Sequence, residues 1–400
     1  MAGRVFVTGF GLITAIGCNV AECLESIEKQ HSGLGEISYV DTQNKGIIPV
    51  CEVKRSDKQL KEMAGIPPDK IISRTLLLGL IAAKEAFQMA ALSDEAKMEC
   101  GLISANTVGG MDRSEQFYVD FLKDKKTGKL ADVVGHECGY STEYIAEKLG
   151  IQGGATTIST ACSSSANAIM LGARLIKNRR IKTAIVGGCD ALAKFTINGF
   201  SSLKILDKDG CKPFDENRSG LNLGEGAGYL VLESEDSVSL SGKTPICEIT
   251  GYANTCDAYH QTASSPDGDG SYRAMRDALF LAGLDWEKID YINAHGTGTQ
   301  NNDLSEGNAI ERLFGKAPLF SSTKPFTGHT LGAAGGVEAV LSCLSICKKI
   351  VYPNLRWQEP IKELSIKPNT KLIKNLSVSH VLSNSFGFGG NDTSLVFSKC

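Results

Sequence analysis

The stretch TISTACSSSANAIMLGARLI, residues 157–176, changes its periodicity part-way along. Its opening residues are β-branched or small, as a strand prefers. From Ser163 onward, Ala166, Ile169, Met170, Ala173 and Ile176 recur at helical spacing. A strand therefore gives way to a helix beside Cys162. At a helix start the unpaired N–H groups and the macrodipole favour negative charge, so a thiol there gains a reason to ionise. Most free cysteines simply pack, however, and this chain has 13 of them, so position alone does not single out Cys162.

Outward from that junction, strand and helix patterns alternate through all 400 residues, with glycine at many of the joints. This is the pattern of a mostly parallel α/β protein. The chain also echoes itself. VFVTGFG near the start is matched by CEITGYA at 247–253, and the segment around Cys162 by STKPFTGHTLGAAGGVEAVLSCL, in which a polar reactive run again precedes a helix of small residues. The expected division is an N-terminal half over 1–244 and a C-terminal half over 245–400, with a site where they face each other.

Apolar content of 42%, charged content of 22% and a net charge of −3 describe an ordinary globular chain. The charge gives no bulk attraction to nucleic acid or anionic lipid, so neither is an expected partner. No run reaches the length of continuous apolar residues that a membrane span needs. The opening MAGRVFVTGFGLITAIGC is broken by Thr8, Gly9, Gly11 and Thr14, which suits a first strand better than an export signal. The odd cysteine count, without a CxxC pair, fits a reducing cytoplasm, and the 6 histidines show no metal-ligand spacing with the cysteines.

Three further segments look unlike scaffold. YINAHGTGTQNNDLSE places His295 just past an apolar strand, in a run that reads as too polar and flexible for core. SSTKPFTGHTLGAAGG brings Lys324 and His329 ahead of a Gly/Ala helix. SNSFGFGGND surrounds Phe388 with Gly387, Gly389 and Gly390, a glycine density that lets main-chain N–H groups point at a ligand. A thiol, two imidazoles and main-chain donors together are what acyl transfer to sulfur and enolate stabilisation require.

In this order, VFVTGFG, TACSSS, PFDENRSGLNLGEGAGYLVLE, NAHGTGTQNND, TKPFTGHTLGAAGGVEA and NSFGFGG resemble the β-ketoacyl-acyl-carrier-protein synthases of the elongating type I/II class, within the thiolase superfamily. The resemblance covers nearly the whole chain. It implies a thiolase-like α/β fold: two duplicated α/β halves in a layered αβαβα arrangement.

The resemblance also implies roles. Cys162 takes an acyl chain from a carrier-protein thioester. His295 and His329 promote decarboxylation of malonyl-carrier protein, and Lys324 orients or tunes them. The main-chain N–H groups of Cys162 and Phe388 form an oxyanion hole. Thr297, Thr299 and Thr262 hold the phosphopantetheine arm, which arrives on the carrier protein, so no resident cofactor and no catalytic metal is expected. Phe388 gates an acyl pocket that Val108 and Phe200 help to line. Asn293, Glu338, Ser383 and Asn384 make an inner polar cluster, either bracing the histidine loops or holding a cation. Carrier proteins are acidic, so Lys58, Lys61, Lys70 and Lys208 are candidates for a docking patch, and a homodimer is implied.

Two motifs depart from the family pattern. TACSSSANA looks rather like polyketide ketosynthases, and GFGGNDTS differs from the commoner GFGGTN. Fatty-acid elongation is the favoured pathway, with a polyketide or polyene ketosynthase as its alternative. A non-condensing chain-length partner subunit predicts loss of the cysteine, which is present. A Cys-His hydrolase would not call for two histidines, a lysine and GFGG together.

Overall fold

The computed structural model describes residues 3–400. Its main sheet has ten strands in the order β3-β2-β4-β5-β1-β6-β12-β11-β7-β8. The first half supplies β1 (Val5–Thr14), β2 (Gly101–Ala105), β3 (Ala155–Ile158), β4 (Thr183–Asp190) and β5 (Gly226–Ser234). The second supplies β6 (Cys247–Cys256), β7 (Tyr291–Asn293), β8 (Leu319–Ser321), β11 (His380–Gly387) and β12 (Asn391–Ser398). A short ribbon, β9 (Ile350–Val351) and β10 (Ile373–Lys374), stands apart.

The two halves repeat one design. In the first, β3, β2 and β4 run parallel, and β5 pairs antiparallel with both β4 and β1. In the second, β8, β7 and β11 run parallel, and β12 pairs antiparallel with both β11 and β6. Only Phe6 opposite Glu248 and Val7 opposite Cys247 join β1 to β6. This topology bears out the duplicated α/β fold, but the sheet is mixed where the strand–helix alternation predicts mostly parallel strands, because β5 and β12 each run antiparallel to both neighbours.

Six helices fill the layers: α1 (Arg74–Ala90), α2 (Cys138–Leu149), α3 (Ser164–Lys177), α4 (Asp269–Ala282), α5 (Gln300–Phe314) and α6 (Ala334–Lys348). Helix α1 covers β1 and β5 on one outer side, and α4 covers β6 and β12 on the other. Between the half-sheets, α3 packs on β4 and β2 while α6 packs on β5 and β11, and the two helices touch each other. Small residues make this central layer possible. A Cβ on Gly228 of β5 would lie 2.4 Å from the carbonyl carbon of Gly336 in α6, so helix and strand meet backbone to backbone. The apolar run Leu331–Lys348, which includes α6, is core for the same reason.

Two polar runs differ from expectation. The segment after His295 becomes α5 from Gln300 onward, with Asp303 and Glu306 fully buried. The segment before Phe388 is β11, a central strand with Ser383, Asn384 and Ser385 buried. The Asp303 and Glu306 carboxylates turn inward to accept main-chain N–H groups of the site, and Asn384 turns inward to bond the Glu306 and Ser394 side chains.

Candidate active site

Cys162 sits at the bend between β3 and α3. The bend is sharp: Ala161 holds φ +52, a left-handed conformation that costs a residue with a Cβ. Ser164 keeps it in place, its hydroxyl donating to the Ala161 carbonyl at 2.5 Å while accepting the Thr160 N–H at 2.8 Å. The Cys162 side chain faces a cavity of about 260 Å³ lined also by His295, His329, Thr297, Thr299, Thr262, Phe200 and Phe388.

The second half delivers the imidazoles. His295 follows β7, and its N–H and that of Gly296 both donate to the Glu306 carboxylate, at 2.9 and 2.8 Å. His329 is stitched to the first half, its N–H donating to the Asn222 carbonyl at 2.8 Å and its own carbonyl accepting the Gly224 N–H at 2.9 Å. The two rings stand perpendicular with centroids 5.5 Å apart.

Lys324 lies fully buried beneath them. Its ammonium donates to the His295 carbonyl at 2.6 Å, approaches His295 Nδ1 at 3.2 Å, and pairs with Glu338. An ammonium has no lone pair to offer, so Nδ1 of His295 accepts and the ring proton resides on Nε2. Burial and the Lys324 charge push His329 down to about 3, and burial, Lys324 and His329 hold His295 well below the ordinary imidazole value. Both rings are neutral donors at physiological pH.

The thiol departs from the sequence expectation. Burial pushes Cys162 up to about 11, against the opposing pull of the Phe388 N–H, the Lys324 charge and its own N–H. Desolvation outweighs the helix start, so Cys162 rests as a thiol. The two N–H groups on its sulfur are aimed at charge that forms during reaction.

Two matched family descriptions cover most of the chain: Beta-ketoacyl synthase, N-terminal domain, over residues 2–237, and Beta-ketoacyl synthase, C-terminal domain, over residues 246–358. The chain belongs to the β-ketoacyl synthases. Among curated relatives, 3-oxoacyl-[acyl-carrier-protein] synthase 2 of Staphylococcus aureus (strain N315) is 34% identical over 99% of this chain and 98% of its own length. The enzyme of that name from Synechocystis sp. is also 34% identical, with the same two coverages. Among solved structures, the ishigamide ketosynthase/chain length factor superposes with a TM-score of 0.94 at 31% identity, covering both chains fully. The ketosynthase ApeO in complex with its chain length factor ApeC, from Xenorhabdus doucetiae, gives 0.86 at 31%, covering 100% of this chain and 98% of that one. As a β-ketoacyl synthase the protein is an acyltransferase-type condensing enzyme.

Not every residue singled out in this β-ketoacyl synthase reaches the cavity. Phe200 and Phe388 do, stacked with centroids 5.8 Å apart and an interplanar angle of 15°. Val108 does not line it. Val108 is buried in an apolar cluster with Leu192, Ile197, Leu221 and Leu331, against which Phe200 packs. None of Lys58, Lys61, Lys70 or Lys208 lines the cavity either. Lys61 is spent on the Pro68 carbonyl, and Lys58 borders a separate groove beside Asp57, Asp112 and Glu115. The lysine that lines the site is Lys204, which no local motif marked.

The inner cluster divides in two. Asn384 is satisfied, donating to Glu306 and accepting from Ser394. Both polar atoms of the Asn293 side chain and Glu338 Oε2 are buried without a partner, with Ser383 in register beside Asn293 on the neighbouring strand. Those free oxygens suit an internal water or a hard cation. No group of three or more His, Cys, Asp or Glu among the described residues could hold a metal ion.

Proposed function

We propose that the protein extends a carrier-bound acyl chain by two carbons, using malonyl-acyl-carrier protein and releasing CO₂. The Cys162 sulfur attacks the acyl thioester, the carrier thiol leaves, and the Cys162 and Phe388 N–H groups hold the transient oxyanion. Malonyl-carrier protein then enters along Thr262, Thr297 and Thr299. Its carboxyl carbon leaves as CO₂, and the electron pair of the broken bond becomes an enolate whose oxygen accepts from the Nε2–H groups of His295 and His329. The enolate carbon attacks the acyl-Cys162 carbonyl, the C–S bond breaks, and the sulfur leaves as a thiolate that takes one proton from solvent water to return to the resting thiol. The supporting observation is the joint exposure of Cys162, His295 and His329 to one cavity, with both rings neutral.

Fatty-acid elongation is the favoured pathway, following the curated relatives' names. A polyketide or polyene role is the second reading, favoured by the superposition on ketosynthases solved with chain length factors. Condensation assayed against carrier proteins loaded with acyl chains of graded length and unsaturation separates them. Cys162→Ala should abolish acylation in intact-mass measurement, and acylation persisting at the wild-type extent overturns the reading.

A second copy is the proposed partner of the groove that the exposed Tyr118 and Phe195 line together with Met111 and Phe117. Light scattering tests it, with a monomer as the contrary result. The 13 cysteines are all unbridged, so a reducing compartment, the cytoplasm, is the proposed setting.

A further inference from the structure

Both departures from the family pattern meet at one atom. Oδ1 of Asn391, which follows GFGG, accepts from the Ser163 hydroxyl at 2.7 Å, from Asn167 Nδ2 at 2.7 Å and from Asn254 Nδ2 at 2.8 Å. Ser163 is the residue after the nucleophile. It stands at the N-cap of α3 without making a side-chain cap bond, so its hydroxyl is not committed to the helix. Its single proton is shared between Asn391 and the Thr160 carbonyl, 2.8 Å away. Asn167 is oriented in turn by Thr393, whose hydroxyl donates to Asn167 Oδ1 at 2.8 Å.

This polar knot lies under the turn that carries Phe388. Gly387 and Asn391 are the last cross-strand pair of the hairpin, and a Cβ on Gly387 would come 3.1 Å from the Thr160 carbonyl and 3.2 Å from the Ser163 hydroxyl. On its other side the turn is tied to a loop: the Gly389 N–H donates to the Gln261 carbonyl and the Asp257 N–H to the Gly390 carbonyl, both at 2.8 Å. That loop carries Thr262, and Gln261 and Thr262 are exposed. The turn is thus held between a partly exposed loop and the nucleophile bend, and the side-chain tie to the bend is Asn391.

We infer that Asn391 is a positioning residue that fastens the GFGG turn to the nucleophile bend through Ser163, setting the Phe388 N–H on the Cys162 oxyanion. Without an acceptor at that point the turn follows the loop and the donor drifts from the sulfur. Acyl transfer to Cys162 uses this donor. Malonyl decarboxylation, which relies on the imidazoles, does not.

The inference rests on Cys162 as the acyl acceptor, and the test keeps the two apart. Wild type, N391L and N391D are compared in two measurements, the rate of Cys162 acylation by intact mass and CO₂ release from malonyl-carrier protein. Leucine keeps the shape without the acceptor, and aspartate keeps the acceptor. N391L should acylate roughly ten- to a hundredfold more slowly while CO₂ release stays within about threefold, and N391D should acylate within about threefold of wild type. Equal losses in both reactions, or unimpaired acylation of N391L, overturn the inference. Should N391L not fold, S163A removes the donor from the other side, with the same split expected and the same results overturning it. A wild-type protein that takes up no acyl group refutes the function itself instead.

Discussion

The main-chain N–H of Leu331 donates to Nδ1 of His329 at 3.1 Å. The ring two residues back is thereby committed to one tautomer, with its proton on Nε2. Leu331 pays for this with φ +54, and the Gly332 N–H is held by buried Asp190 at 2.7 Å. A strained turn thus presents a neutral hydrogen-bond donor to the cavity.

That donor has a signature in stability. Between the ordinary imidazole value of 6.5 and the native value of about 3, the unfolded chain binds a proton that the folded ring refuses. Stability therefore falls as pH drops through that window. His329→Gln should remove about one proton from the uptake on unfolding, measured as a shallower dependence of the urea midpoint on pH across acid buffers inside that window. An unchanged slope contradicts the assignment. The same variant should depress CO₂ release from malonyl-carrier protein.

Cys162 should alkylate as a reluctant thiol. With burial pushing it up to about 11, iodoacetamide labelling of the unliganded protein should keep rising well above the pH at which a free cysteine has levelled off. Peptide mass spectrometry resolves this site from the others. A midpoint below that of free cysteine would show that the helix start prevails over burial.

Lys324 and Glu338 are both buried, and Glu338 is pushed up to about 7 by desolvation against the pull of the lysine. Lys324→Met leaves the carboxyl uncompensated, an expected loss of about 3–5 kcal/mol in denaturant unfolding. Adding Glu338→Gln should restore part of it. Neither variant should regain activity, because Nδ1 of His295 has lost its donor.

Gly336→Ala probes the central layer. The new Cβ would sit 2.4 Å from the Gly228 carbonyl oxygen, so α6 must move off β5 at a cost of about 2 kcal/mol or more. Thermal unfolding measures it, and an unshifted midpoint would mean that the helix and strand have room to spare.

Much of this was legible beforehand because the pattern is local. The period change at Cys162, the apolar strands and the small-residue helix before Lys348 each announce themselves within a few residues. The inward polar faces do not. Glu306 and Asp303 read as a solvated run, yet Glu306 accepts the N–H groups of His295 and Gly296, and Asp303 those of Gly298 and Phe214. Their partners lie partly far away in sequence, so no periodicity reveals them. Ala161 was equally silent, since nothing in an alanine advertises a positive φ. Lys204 was silent for a related reason: surface charge is common, and only the folded chain shows that Lys204 borders the cavity while Lys61 bonds the Pro68 carbonyl.

The paired half-sheets have a consequence for ancestry. Helices α3 and α6 occupy matching places in the repeat, yet one is preceded by a sulfur and the other by a ring. If both descend from a single duplicated unit, the copies have since specialised, each discarding what its sibling kept. Neither could now be exchanged for the other, and the enzyme exists only as their union.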